Sequence, residues 1–184
     1  MATPFAHKMM LRLVLALVGL AAMGSPALAS NWSMNASSCV PNDTAVNQYF
    51  VTGGSVTHRP ASTELITLYC PITGTWGPNK PTFLFMTIMN NKPFDELRQR
   101  DAQITAQIVR IVASSGTLVN IGPPLRSPGR TIAVGERIQG QLFVHPFDFK
   151  NSYYYVRVDI SRKSTAGFAK LFGVGMSCLT CPAN

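Results

Sequence analysis

Residues 152–161, Ser-Tyr-Tyr-Tyr-Val-Arg-Val-Asp-Ile-Ser, alternate between two kinds of side chain. One set is apolar and would share the inner face of a strand: Tyr154, Val156, Val158 and Ile160. The intervening positions are aromatic or charged and would face outward: Tyr153, Tyr155, Arg157 and Asp159. Successive side chains of a strand point to opposite sides of the sheet. The segment therefore predicts a strand with an aliphatic inner face and an aromatic, polar outer face.

Other segments of the chain show the same period of two. Residues 65–72 place apolar side chains on one face, namely Ile66, Leu68, Cys70 and Ile72. Residues 82–89 are apolar on both faces, which is typical of a strand that is covered on both sides or that uses its outer face. Residues 131–134 and 138–144 are predicted to flank a turn at Gly135-Glu136. The inward positions predicted for the second run are Ile138, Leu142 and Val144.

Three segments leave a choice of local structure. Gly53-Gly54 indicates either a tight hairpin or a bulge in one long strand. Residues 95–113 fit a helix or a strand, and the favoured interpretation is a short helical turn at residues 94–99 followed by a strand at residues 103–113. Residues 168–178 are rich in glycine, which weakens a helix, and they are predicted to form the last strand.

These patterns predict an all-β fold. Roughly nine strands at regular spacing favour a single-domain antiparallel β-sandwich over residues 30–184, with a small barrel as the alternative. A chain of this size buries enough surface for one core.

The first 29 residues are predicted to be a cleavable signal peptide. Lys8 and Arg12 precede an apolar run at residues 13–23, and Ala27-Leu28-Ala29 supplies small residues for cleavage. This run is shorter than the roughly 20 residues that span a bilayer. Cleavage would lower the formal net charge from +8 to +6. We therefore expect a secreted or periplasmic domain whose mature chain has no transmembrane segment.

The four cysteines all lie in the predicted mature region. An even number in an oxidising compartment predicts two disulfides, with three possible pairings. We favour Cys39 with Cys70, because Cys39 just precedes one predicted strand and Cys70 ends the next. That leaves Cys178 with Cys181. A structural disulfide is favoured there over a redox or zinc site, because neither a following helix nor a second pair of ligands accompanies the Cys-x-x-Cys.

Several short motifs carry a resemblance to a group of proteins. They are Cys39-Val40-Pro41, Leu68-Tyr69-Cys70-Pro71, Phe147-Asp148-Phe149 and the run from Tyr153 to Val158. Their combination resembles a pattern in uncharacterised exported bacterial proteins that are expected to be β-sandwiches. The resemblance spans most of the mature chain and implies the fold, but it implies no activity.

Catalytic patterns are sparse in this sequence. The mature region offers His58 and His145 as bases, and it contains no Gly-x-Ser-x-Gly elbow. His145-Pro146-Phe147-Asp148 could bring an imidazole and a carboxylate together at a turn, as a catalytic dyad or as two metal ligands. The favoured interpretation is structural: Pro146 turns the chain, Phe147 and Phe149 fill the core, and Asp148 caps the turn. We therefore predict no catalytic residue, no metal and no cofactor.

Aromatic and basic side chains mark the predicted binding surface. The residues are Trp76, Tyr153, Tyr155, Arg126 and Arg130. Exposed rings can stack on sugar faces, although aromatic residues are also ordinary strand formers. Residues 122–130, with three prolines and two arginines, are predicted to form a stiff basic loop that could serve as a contact surface.

The leading functional hypothesis is a non-enzymatic exported module with a structural, adhesive or binding role at or outside the cell surface. The first alternative is a carbohydrate- or ligand-binding domain, and the second is a small hydrolase with a site near His145 and Asp148. The expected partner is a glycan or an anionic component of the cell envelope, and nucleic acid is not expected.

Overall fold

The computed structural model describes residues 32–73, 81–90, 102–128 and 132–178. These residues form eleven β-strands and two short 3-10 turns, at Ala36–Ser38 and Asp43–Ala45. The strands pair in two antiparallel sheets, which confirms the predicted all-β sandwich, with eleven strands in place of roughly nine. All the described residues fall in one compact unit, Ala29–Leu179. The predicted signal peptide lies outside the described residues.

Each sheet combines strands from distant parts of the chain. The six-stranded sheet contains β1 (Trp32–Asn35), β3 (Tyr49–Thr52), β4 (Ser55–His58), β6 (Phe83–Asn90), β9 (Ile132–Leu142) and β11 (Ala169–Ser177). The five-stranded sheet contains β2 (Val40–Pro41), β5 (Ile66–Pro71), β7 (Ala102–Val112), β8 (Leu118–Arg126) and β10 (Ser152–Arg162). In the first sheet β11 pairs with β6 on one side and with both β4 and β1 on the other. In the second, β10 lies between β5 and β7.

The core contains the inward rows of both sheets. On β10 the predicted inner side chains are all buried, from Tyr154 to Ile160 at alternate positions. They join the predicted inner row of β5 and the alternate residues Leu84, Met86 and Ile88 of β6. The two strands with the clearest alternation therefore supply the centre of the fold. Phe147 packs against this core as predicted, whereas the predicted core position of Phe149 is wrong, because its side chain is 37% exposed.

The predicted turn at Gly135-Glu136 is wrong, because β9 runs unbroken from Ile132 to Leu142. Its partner strand β6 shows two register shifts. Near Gly140, two steps along β6 match three steps along β9, so one extra residue reverses the inward and outward alternation. Ile138 packs against the core as predicted. Leu142 and Val144 instead are 58% and 95% exposed, and Phe143 is buried in their place.

The predicted basic loop at residues 122–130 is also wrong for the part that the structure describes. β8 continues through Pro123 and Pro124 to Arg126 as an edge strand of the five-stranded sheet. Ala106 pairs with Leu125 and Ile108 with Ile121, so two extra residues of β8 are accommodated in a bulge. An edge strand tolerates proline because its outer N–H groups have no ladder partner.

The segments with open alternatives form strands or the turn between strands wherever they are described. Gly53-Gly54 closes a hairpin between β3 and β4, and both glycines have positive φ, as a tight two-residue turn requires. The predicted strand at residues 103–113 corresponds to β7 and the predicted last strand to β11. The predicted helical turn at residues 94–99 lies outside the described residues.

The favoured cysteine pairing is confirmed by a disulfide between Cys39 and Cys70, with Cα atoms 4.4 Å apart. The bond fastens the start of the short β2 to the end of β5, and both cysteines are buried. Cys178 is also disulfide-bonded, and its predicted partner Cys181 lies outside the described residues. In the described ranges, no helix has the length and apolar character needed to cross a bilayer.

Candidate functional site

Three tyrosines meet on the outer face of the five-stranded sheet. Tyr153 and Tyr155 project outward from β10, and Tyr69 projects from the neighbouring β5. In the antiparallel register Tyr69 lies opposite Arg157, so it is the diagonal neighbour of Tyr155. The Tyr69 and Tyr155 rings contact edge to face, with centroids 5.5 Å apart. This is a favourable geometry for an aromatic pair.

The tyrosines line a groove of about 570 Å³. We call it the tyrosine groove, and its lining residues are Val40, Tyr69, Pro71, Ile72, Thr73, Ile111, Phe149, Ser152, Tyr153, Tyr154 and Tyr155. Four strands contribute to it, which places a concave aromatic surface on a rigid scaffold. Ligand sites are typically apolar concavities of this size with a few polar groups.

Large apolar side chains are exposed at this groove. The exposed fraction is 68% for Tyr153 and 59% for Val40, and Tyr69 and Phe149 are each 37% exposed. Clusters of exposed rings and aliphatic side chains are typical of interaction surfaces. Tyrosine adds a hydroxyl to each ring, so the surface combines apolar area with hydrogen-bonding groups.

One ion pair lies beside the groove. Arg157 forms an ion pair with Asp159 at 3.1 Å, and Asp159 also accepts a hydrogen bond from Thr67 at 2.8 Å. Burial, and to a lesser extent the neighbouring Tyr69, raises the pKa of Tyr155, with Arg157 acting in the opposite direction. The Tyr155 hydroxyl therefore keeps its proton and its donor role at neutral pH.

The structure brings together part of the predicted binding surface. Tyr153 and Tyr155 both line the groove. Arg126 is exposed on β8 opposite Thr105, at the far edge of the same sheet, and does not line the groove. Trp76 and Arg130 lie outside the described residues. Sequence reasoning missed Tyr69 as a partner of Tyr155, although its outward position in the alternation of β5 was visible.

The His145 and Asp148 side chains make different contacts at one end of the sandwich. His145 Nε2 lies 3.3 Å from the Tyr154 hydroxyl, and the Asp148 backbone N–H donates to that hydroxyl at 3.0 Å. The Asp148 carboxylate accepts hydrogen bonds from the backbone N–H groups of Lys150 and Asn151. The hydrogen bond from the Asn151 side chain, followed by those from the two backbone N–H groups, lowers the pKa of Asp148. The carboxylate thus caps the turn into β10, as the structural interpretation predicted.

The second candidate base, His58, is buried in β4 at 4% exposure. Its Nε2 lies 2.8 Å from the backbone carbonyl of Glu64, so that nitrogen carries the proton of the neutral ring. Burial lowers the pKa of His58; the hydrogen bond with the Glu64 carbonyl opposes this, and the nearby Arg162 lowers the pKa to a smaller extent. His58 therefore contributes a structural hydrogen bond, and a surface ligand cannot reach it.

No group of three or more His, Cys, Asp or Glu side chains able to hold a metal ion occurs in the part of the chain that the structure describes.

No family model matches the sequence, and no curated protein matches it. Among solved structures, the chain is similar to a family two carbohydrate esterase from Cellvibrio japonicus at 15% sequence identity and a TM-score of 0.39. The match covers 85% of this chain but 36% of the esterase chain, so the chain spans well under half the length of that protein. A likeness at this level transfers no activity.

Proposed function

We propose that the protein is an exported, non-catalytic β-sandwich module that binds a neutral carbohydrate in the tyrosine groove. The observation that carries the proposal is the groove itself, where Tyr69, Tyr153 and Tyr155 line one concave surface. Flat apolar rings with hydroxyl groups suit sugar rings, which have apolar C–H faces and a hydroxylated edge. The charges of Arg157 and Asp159 beside the rings offset each other, which suits a neutral saccharide better than an acidic one.

Export is the second part of this proposal. The signal-peptide pattern of residues 1–29 supports it, and the Cys39–Cys70 disulfide fits an oxidising compartment. A secreted or periplasmic module would meet the polysaccharides of a cell envelope or of its surroundings. The contacts of Asp148 with its own turn favour a binding role over hydrolysis near His145.

A glycan array followed by calorimetric titration tests carbohydrate binding. We expect the protein to bind a defined set of neutral glycans. Tyr153→Ala and Tyr155→Ala should each weaken binding by about tenfold or more, because a ring that anchors an interface typically contributes more than 1 kcal/mol. Tyr155→Phe keeps the ring and removes the hydroxyl, so it separates the contribution of ring stacking from that of the hydroxyl group.

The matched control is Phe50→Ala, which removes a 40% exposed ring from β3 of the other sheet. The affinity of the Phe50→Ala variant for the glycan should equal that of the unmodified protein. The proposal fails if no neutral glycan binds, or if Phe50→Ala weakens binding as much as the groove variants do. The first result would favour a structural or adhesive role that does not use carbohydrate.

A further inference from the structure

The outer face of the six-stranded sheet carries a different set of side chains. Phe85 of β6 lies across β11, where its Cε1 and Cζ atoms occupy the space above Gly175. A Cβ at position 175 would be 2.8 Å from Phe85 Cε1 and 2.6 Å from the carbonyl oxygen of Trp32. Glycine is therefore required for the Phe85 ring to pack against β11 at this position.

A guanidinium covers the same ring from outside. Arg137 of β9 is exposed, and its Cζ lies 3.5 Å from the centroid of the Phe85 ring. Its Nη2 donates to the Ser177 hydroxyl at 3.4 Å. Stacking on the ring and this hydrogen bond hold the planar fork of donors in one orientation. The outermost group at this position is thus a preorganised cation.

A second cation lies over a second ring on the same face. The Lys170 Nζ is 5.4 Å from the centroid of the Phe172 ring on β11. Arg137 is opposite Thr87 of β6 and Lys170 is opposite Met89, so the two cations are offset by two residues and two strands. Standard strand spacings put their Cα atoms about 12 Å apart. We call the surface formed by Phe85, Arg137, Lys170 and Phe172 the arginine face.

A shallow cavity of about 330 Å³ lies on this face. Its lining includes Ser33, Asn35, Phe85, Thr87, Phe172 and Gly173. Glu136 is the single acidic residue within β1, β6, β9 and β11 as the structure describes them, and it is opposite buried Ile88. The face therefore combines two cations, polar side chains and a cavity, with no carboxylate on its outward positions.

We propose that the arginine face is a second binding surface, and that its ligand is an acidic polysaccharide bearing carboxylate groups. The fork of Arg137 matches a carboxylate in a bidentate geometry, and Lys170 supplies a second positive charge for the same polymer. The cavity holds the sugar backbone, with Ser33, Asn35 and Thr87 as hydrogen-bonding groups. This surface is on the opposite side of the sandwich from the tyrosine groove.

Two other anionic partners fit this geometry less well. A bilayer surface favours protruding apolar side chains that insert between lipids, whereas the Phe85 ring packs against Gly175 and is covered by Arg137. Single-stranded nucleic acid binds by stacking bases on open ring faces. The outward face of Phe85 is already occupied by the guanidinium, so the ring cannot serve that purpose.

Binding of the purified protein to polygalacturonate tests the proposal. We expect salt-sensitive binding to this polymer and little binding to its methyl-esterified form, because esterification removes the carboxylate charge. The double variant Arg137→Gln/Lys170→Gln should reduce affinity by about tenfold or more. Arg137→Lys should give a smaller loss, since it keeps the charge and removes the planar fork.

The matched control is Arg126→Gln, which removes one exposed charge from the other sheet and should change affinity less than about twofold. Tyr153→Ala/Tyr155→Ala should also retain polygalacturonate binding, so this result is independent of the proposed carbohydrate site. Thermal unfolding of each variant shows that the fold is intact. Equal loss in Arg126→Gln, equal binding to the methyl-esterified polymer, or binding to phosphatidylglycerol vesicles alone would overturn the proposal.

Discussion

Arg162 makes an extensive set of polar contacts from a buried position. It is 7% exposed, and its guanidinium donates to the backbone carbonyls of Arg59, Pro60, Ser62, Thr165 and Gly167. The contacts join the segment before β5 to the segment after β10. Arginine suits this position because its five donors have a fixed planar arrangement. Among the described residues no carboxylate pairs with Arg162, so further positive charge near this buried cation is unfavourable.

The positive charge of Arg162 affects the pKa of the nearby His58. Burial and Arg162 lower its pKa below the ordinary value of 6.5, so the folded protein holds the ring neutral while the unfolded chain takes up a proton. Between the lowered pKa of the folded state and about pH 6.5, the unfolded state binds more protons than the folded state. The free energy of unfolding therefore rises with pH in this range. Above about pH 6.5 His58 is neutral in both states and does not lower the free energy of unfolding. As pH falls from there toward the lowered pKa of the folded state, the free energy of unfolding decreases.

We therefore expect His58→Gln to flatten the dependence of stability on pH. Glutamine keeps a donor for the Glu64 carbonyl but does not titrate. Urea unfolding at about pH 7.5 and about pH 5 measures the difference for each protein. The variant should lose less stability between the two pH values than the unmodified protein does. An equal loss in both would show that His58 is not the group responsible.

Among the strands, β11 depends on close approach at Gly175. Gly175→Ala should lower the free energy of unfolding by about 3 kcal/mol, because the added methyl group overlaps Phe85 and the Trp32 carbonyl. Gly53→Asn is the comparison, since Gly53 has a φ of 56° and nothing within 4 Å of its added Cβ. Asparagine tolerates that conformation, so its effect should stay below about 1 kcal/mol. Chemical denaturation checks both, and similar losses would contradict the packing explanation.

The accuracy of the sequence predictions differs between strands for a physical reason. β5 and β10 keep an unbroken period of two, so their inner faces were correctly predicted. In β9 one extra residue near Gly140 reverses the alternation, and Leu142 faces solvent. A bulge is defined by the partner strand, and therefore a single segment does not reveal it. The same limit applies to the groove, because the contact of Tyr69 with Tyr155 depends on the register between β5 and β10.

In the sandwich as a whole, the Cys39–Cys70 disulfide affects both the stability of the fold and the shape of the tyrosine groove. Cys39 and Cys70 are 31 residues apart in sequence, and closing a loop of that length contributes about 3 to 4 kcal/mol in the chain-entropy model. Each cysteine is next to groove residues, with Val40 following Cys39 and with Tyr69 and Pro71 flanking Cys70. The short β2 has two paired residues on β5, and the disulfide adds a covalent link immediately before them.

Cys39→Ala/Cys70→Ala should therefore lower the free energy of unfolding by about 3 to 4 kcal/mol and loosen β2. In hydrogen exchange, the Asn42 amide, which donates to the Thr67 carbonyl at 2.9 Å, should exchange faster relative to amides of β7 and β10. Cys178→Ala/Cys181→Ala is the matched variant. Removing the predicted disulfide, which would close a four-residue loop, should lower the free energy of unfolding by about 2 kcal/mol and leave Asn42 protected. If the Asn42 amide exchanges equally fast in both double variants, the Cys39–Cys70 disulfide stabilises the fold as a whole and not β2 in particular. Faster exchange in the first alone would show that it also holds one wall of the groove in place.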